Sequence, residues 1–261
     1  MNQFSVLLQK EWRENIRNYK VFWIPVVFIL FGIIEPVTQY FLPQILESAG
    51  NVPEEVVAGF PVPAPEEILI SVMGQYQFMG LLILILAYMG SVSGERKSGT
   101  ATLLYVRPLS YPAYFISKWV MAGAVALVSI WLGFFASYYY IWLLFDAVDM
   151  GQTVQFTATY SLWILLIVSI ILAASAALPG PGLTAAAVLV LIFIAQIIDG
   201  LLGAYWNVSP LKLPAYAGSW LIEAPDLSDF WWSAGITAVL IALLVAFGVW
   251  LSHRNAAKTK V

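Results

Sequence analysis

The sequence predicts an all-α integral membrane protein with six transmembrane helices, and three observations lead there. The 261 residues are 61% hydrophobic and only 10% charged, against about half and about a quarter in an ordinary soluble domain. Six stretches with almost no charge are long enough to cross about 30 Å of hydrocarbon, which takes roughly 20 helical residues. Eleven of the twelve basic residues are confined to alternate loops.

The first twenty residues read as an amphipathic interfacial helix. Phe4, Leu7, Leu8, Trp12, Ile16 and Tyr19 recur at helical spacing, and Lys10, Arg13 and Arg17 lie on another face. On the inner leaflet, anionic headgroups attract the basic stripe while Trp12 dips into the interface. No convincing cleavage site follows, which argues against a signal peptide. The spans then run approximately from 21 to 41, 68 to 92, 115 to 144, 160 to 178, 183 to 202 and 231 to 251. Pro179-Gly180-Pro181-Gly182 separates the fourth and fifth, room only for a tight antiparallel hairpin. Trp23, Trp119, Trp142, Tyr160, Trp163, Trp206, Trp231, Trp232 and Trp250 gather near these boundaries, as an aromatic belt requires.

With six spans, eleven of the twelve basic residues share one face. The opposite loops hold ten acids and Lys212 as their one basic residue. The positive-inside rule therefore predicts a multi-pass plasma-membrane protein with both termini cytoplasmic. The same accounting narrows the chemistry. Zero cysteines exclude thiol catalysis and Cys-ligated metals, and a single histidine, His253, leaves almost nothing for His-based metal sites or catalytic relays. No metal site, catalytic residue, cofactor of its own or nucleic-acid partner is expected.

Residues 93–118, SGERKSGTATLLYVRPLSYPAYFISK, are the most informative loop. Gly94 and Gly99 bracket Glu95-Arg96-Lys97, a short helix over Thr100 to Val106 carries Leu103 and Leu104, and Arg107-Pro108 ends it. Ser110 is placed to cap the next helix, with Pro112 in its first turn. Within the spans, Glu35 before Pro36 and Asp199 before Gly200 are the buried-depth acids, and an intramembrane carboxylate invites a functional reading. Both sit roughly 21 to 24 Å from the inner edge, where water is reachable. Gln75 and Gln77 lie near the outer end of span two. These four are candidates for a translocation path, beside the plainer reading of polar groups that satisfy one another between helices. The outer segments 42–67 and 203–230 are rich in proline and acids; the second is expected to form short interfacial helices.

The run Glu95-Arg96-Lys97-Ser98-Gly99-Thr100-Ala101-Thr102-Leu103-Leu104, with Pro108 and Ser110, resembles the E-R/K-x-x-G-T-x-x-L-L-x-x-x-P-x-S pattern of permease subunits of ABC-2 type exporters. The interfacial helix, six spans and long outer loop before the last span match the same family, and the likeness is strongest to its small YxlG-like permeases. Tyr111 and Thr102 depart from it, at positions where a basic and an acidic residue are common. The resemblance implies one transmembrane domain over residues 1–261, joined to a second permease subunit as a homodimer or heterodimer. It implies docking onto a separate ABC ATP-binding subunit through Glu95, Arg96, Gly99, Thr100, Leu103, Leu104 and Pro108. ATP and Mg2+ would then be held by that partner; no G-x-x-x-x-G-K-[ST] phosphate loop occurs here. The rival reading is a non-transporting membrane scaffold or sensor that recruits a cytoplasmic protein. A secondary transporter fits less well, because no internal repeat is visible.

Overall fold

The computed structural model describes residues 3–48, 63–99, 110–203 and 205–259. Every regular element among them is helical. Helix α1 (Gln3–Arg17) ends where Tyr19 takes a φ of 56°, and this break turns the chain into α2 (Lys20–Ser48). Three prolines, Pro25, Pro36 and Pro43, sit inside α2 without ending it; membrane helices tolerate them because neighbours satisfy the freed backbone groups. The second span is built in pieces: α3 (Pro65–Gln75), a π-helical turn (Tyr76–Gly80), α4 (Leu81–Tyr88) and, after a turn, α5 (Ser93–Lys97). Helix α6 (Tyr111–Leu144) opens as the sequence predicts, with Ser110 Oγ accepting from Ala113 N and proline in the first turn. Helix α7 (Met150–Ala177) is capped by Asp149, and residues 178–180 alone join it to α8 (Pro181–Leu202). A 3-10 turn (Pro210–Lys212) and α9 (Leu213–Ile222) precede α10 (Leu227–Thr259).

Among the described residues, six helices are long and apolar enough to cross a membrane, over 20–46, 65–97, 111–144, 150–177, 181–202 and 227–255. The fourth begins ten residues before its predicted start. Its polar opening needs no water, because Thr153, Thr157 and Ser161 each donate a hydroxyl to the carbonyl four residues back. Tyr160 and Trp163 therefore lie well inside the helix and are buried, a correction to their expected place in the aromatic belt. Trp23, Trp142, Trp231, Trp232 and Trp250 are exposed.

The two most buried spans, α6 and α7, form the centre; α2 packs along α6, while α9 and α10 cover α7. Phe28, Tyr76, Phe134, Phe156 and Tyr160 pack tilted or edge-to-face in the middle, with ring centroids 4.7 to 5.7 Å apart. Here α2 and α6 touch backbone to backbone. A Cβ on Gly32 would lie 2.3 Å from the Gly133 carbonyl oxygen, and one on Gly133 would lie 2.2 Å from the Tyr76 hydroxyl. That hydroxyl donates to Phe28 O at 2.6 Å. Helix α9 packs on α7, with Leu213, Ala217 and Leu221 buried.

Candidate functional site

One end of the bundle collects α1, α5, the α7–α8 hairpin and the last turns of α10. Four charged side chains join there. Glu95 of α5 accepts hydrogen bonds from Lys10 of α1, from Lys118 Nζ of α6 at 2.8 Å and from the Tyr114 hydroxyl. Glu11 of α1 lies 2.9 Å from both Lys10 Nζ and Lys118 Nζ. Lys118 is 3% exposed, Glu11 5% and Glu95 9%. Ions this deep persist only when paired and hydrogen-bonded; the two ammoniums alternate with the two carboxylates, so these four charges balance. Burial opposes the charge on Lys10, yet the carboxylates of Glu95 and Glu11 beside it outweigh that and hold its ammonium well above the usual lysine range. The carboxylates of Glu11, Glu14 and Glu95 come close enough together to hold a metal ion. Lys10 Nζ, in contact with all three, fills that space with an ammonium.

A second knot lies next to it. Arg96 donates to the carbonyls of Ser175 and Leu178, closing the C-terminal end of α7, where a cation also suits the helix dipole. Ser175 Oγ accepts from Val92 N and Ser93 N at 3.1 Å, and Asn255 Nδ2 of α10 donates to Ala176 O at 2.9 Å. Gly90 packs against Pro181 of the hairpin. Glu95 and Arg96, adjacent in sequence, thus fasten α5 in two directions, to α1 and α6 on one side and to α7 on the other.

The other predicted residues are distributed as follows. Gly99 has a φ of 75° that glycine alone adopts without strain. Thr100, Leu103, Leu104 and Pro108 lie outside the described residues. Trp12, Arg13 and Arg17 are exposed on α1, but Lys10 turns from their stripe toward Glu95, its long stem carrying the ammonium inward. Glu35 accepts from Gln75 and, at 3.1 Å, from Gln39. Gln77 is two residues past Gln75, about 200° around a helix. It lines a different cavity, with Asp199. Asp199 accepts from Trp206 Nε1 at 3.1 Å and pairs with Lys212 at 3.4 Å. The four polar intramembrane candidates therefore form two pairs in two places.

Sequence reasoning missed Glu11, Lys118, Tyr114, Ser175 and Asn255 as site residues. One signal was present: Leu7, Glu11 and Asn15, spaced by four, are the buried face of α1, and a carboxylate in register with a leucine marks a face that packs on protein rather than lipid.

The description "ABC-2 family transporter protein" belongs to a family model that matches residues 5–213, a stretch containing every side chain of the ion cluster. The chain is also 32% identical over 262 residues to a Bacillus subtilis (strain 168) protein described as "Uncharacterized transmembrane protein YxlG", covering 97% of this chain and 98% of that relative.

Proposed function

The chain belongs to the ABC-2 family of transporter proteins, and from that premise we propose that it is the permease subunit of an ATP-binding cassette exporter, driven by a separate ATPase. It is a multi-pass membrane component of transport rather than a catalytic enzyme. The observation that carries the finer reading is the buried ion cluster at the root of residues 93–118. A partner that displaces the segment beyond Gly99 pulls on α5, and α5 is tied to α1 and α6 through Glu95 and to α7 through Arg96. Motion at the loop is thereby passed to three helical spans and the N-terminal helix together. Leu103 and Leu104 supply the apolar anchor in the ATPase, which holds ATP and Mg2+. Pro108 and Thr100 bound that contact.

Exposed Phe4, Trp12, Arg13 and Arg17 support a helix α1 lying on the inner leaflet. The charge distribution supports cytoplasmic termini in the plasma membrane, and a second permease subunit, identical or not, completes the path. Glu35 with Gln75, and Gln77 with Asp199, are its polar candidates.

The test is co-expression with the ATPase. Leu103→Asp with Leu104→Asp abolishes co-purification of the two chains. Glu95→Gln loosens the anchoring of α5, and in the fraction that still folds and co-purifies it lowers the ATPase stimulation that the permease confers. Co-purification unaffected by the leucine changes overturns the docking assignment, and a bound partner with no ATPase response favours the scaffold reading.

A further inference from the structure

At the end of the bundle away from the ion cluster, a chamber of about 270 Å³ lies between α3, the π-helical turn, α7, α8 and α9. Its walls include Gln77, Trp163, Gln196 and Asp199. Trp163 is 4% exposed, and its indole Nε1–H is buried with no partner among the described residues. An unsatisfied buried donor costs about 1–3 kcal/mol, so a ligand acceptor that reached Nε1 would be favoured. Asp199 supplies the opposite chemistry. Both of its contacts among the described residues, from Trp206 and Lys212, fall on Oδ1, so Oδ2 has no partner among them and can accept from a cation or hydrogen-bond donor. One chamber therefore presents donors and an anionic acceptor together, the complement of a zwitterionic group.

Beside the chamber, between the second and fifth spans, lies an apolar groove. The two share Gln77 and Gln196, and below them Leu81, Ile85, Leu189 and Ile192 line a further cavity of about 130 Å³. Its rim is open sideways, with Phe78 73% and Phe193 64% exposed on helices long and apolar enough to cross a membrane. A polar head space that shares Gln77 and Gln196 with a laterally open apolar slot matches the shape of an amphiphile lying in the bilayer.

We infer that this chamber and groove bind an aminophospholipid of the adjoining leaflet, its amine on Asp199, a phosphate or ester oxygen on Trp163 Nε1, and one acyl chain in the groove. The site does not depend on coupling to an ATPase, since no residue of the ion cluster takes part.

Native mass spectrometry of the full-length protein in mild detergent, with added phosphatidylethanolamine, phosphatidylcholine and phosphatidylglycerol of equal chain length, tests it. The unaltered protein should retain phosphatidylethanolamine about tenfold over phosphatidylglycerol, the value of one charge-assisted hydrogen bond. Asp199→Asn removes that preference, Trp163→Phe weakens retention, and Leu189→Trp, which fills the groove, reduces binding of all three lipids. Equal retention of the three headgroups by the unaltered protein, or a preference that survives both Asp199→Asn and Trp163→Phe, overturns the proposal. Asp199→Asn also loosens Lys212; if that variant unfolds, Gln77→Ala with Gln196→Ala decides, and unchanged lipid retention there is likewise fatal to it.

Discussion

Lys118 is the side chain whose position is hardest to sustain alone, because an ammonium 3% exposed among helices survives only against Glu11 and Glu95. Removing one partner from a buried pair costs about 3–5 kcal/mol, whereas replacing the whole pair costs far less. Thermal unfolding followed by tryptophan fluorescence should therefore show Lys118→Met and Glu95→Gln each strongly destabilising, and the double variant less destabilised than their sum, with a coupling of about 1–3 kcal/mol. Strict additivity would mean that the two residues do not share the cluster. Lys10 gives a second, pH-resolved expectation. Its folded pKa is raised above the ordinary 10.5, so its stabilisation is present in full below that value and is lost as pH rises through the folded one. The stability gap between the protein and Lys10→Met should stay constant from about pH 6 to about pH 9 and shrink only in stronger alkali; a gap that closes near neutrality would contradict the raised value. Glu95 is visible in the sequence as part of a motif, yet its partners are not. Lys10 is 85 residues away and Lys118 lies 107 from Glu11, and no local spacing encodes contacts made only when three helices close together.

At the scale of elements, hydropathy locates all six spans because the requirement for unbroken apolar length is itself local. It cannot show where a helix changes its winding. The π-helical turn at Tyr76–Gly80 carries Tyr76, whose hydroxyl reaches back to Phe28 O of α2, and nothing in YQFMG distinguishes that turn from an α-helical one. Nor does hydropathy give the start of α7, where Thr153, Thr157 and Ser161 lower the apolar score but satisfy themselves within the helix. The contact of α2 with α6 supplies the next prediction. Gly133→Ala places a methyl about where the Tyr76 hydroxyl now lies, so the variant should lose about 1–3 kcal/mol by overpacking. Tyr76→Phe removes the obstructing oxygen and should restore part of that loss when combined with Gly133→Ala, although alone it costs the hydrogen bond to Phe28. If the tyrosine change deepens the defect instead, the close approach is not what limits the packing.

The whole molecule is organised by where its few charges go. A net charge of −3 conceals an end rich in lysine and arginine, where α1, α5, the α7–α8 hairpin and the last turns of α10 meet, and an acidic end whose one basic residue, Lys212, is engaged by Asp199. The hairpin carries no charge and so gives no orientation signal of its own, but Arg96 on its carbonyls places it at the same end as α1. Six spans with both termini at that end form one consistent arrangement, and membrane insertion of basic loops sets its direction. The absence of cysteine makes the direction measurable without background. Asn18→Cys, exposed after α1, and Ser228→Cys, exposed in the first turn of α10, put one thiol at each end. In intact cells a membrane-impermeant maleimide should label Ser228→Cys at once and Asn18→Cys only after permeabilisation. The reverse pattern would place the motif loop outside, beyond reach of any ATPase, and labelling of both in intact cells would break the six-span arrangement itself.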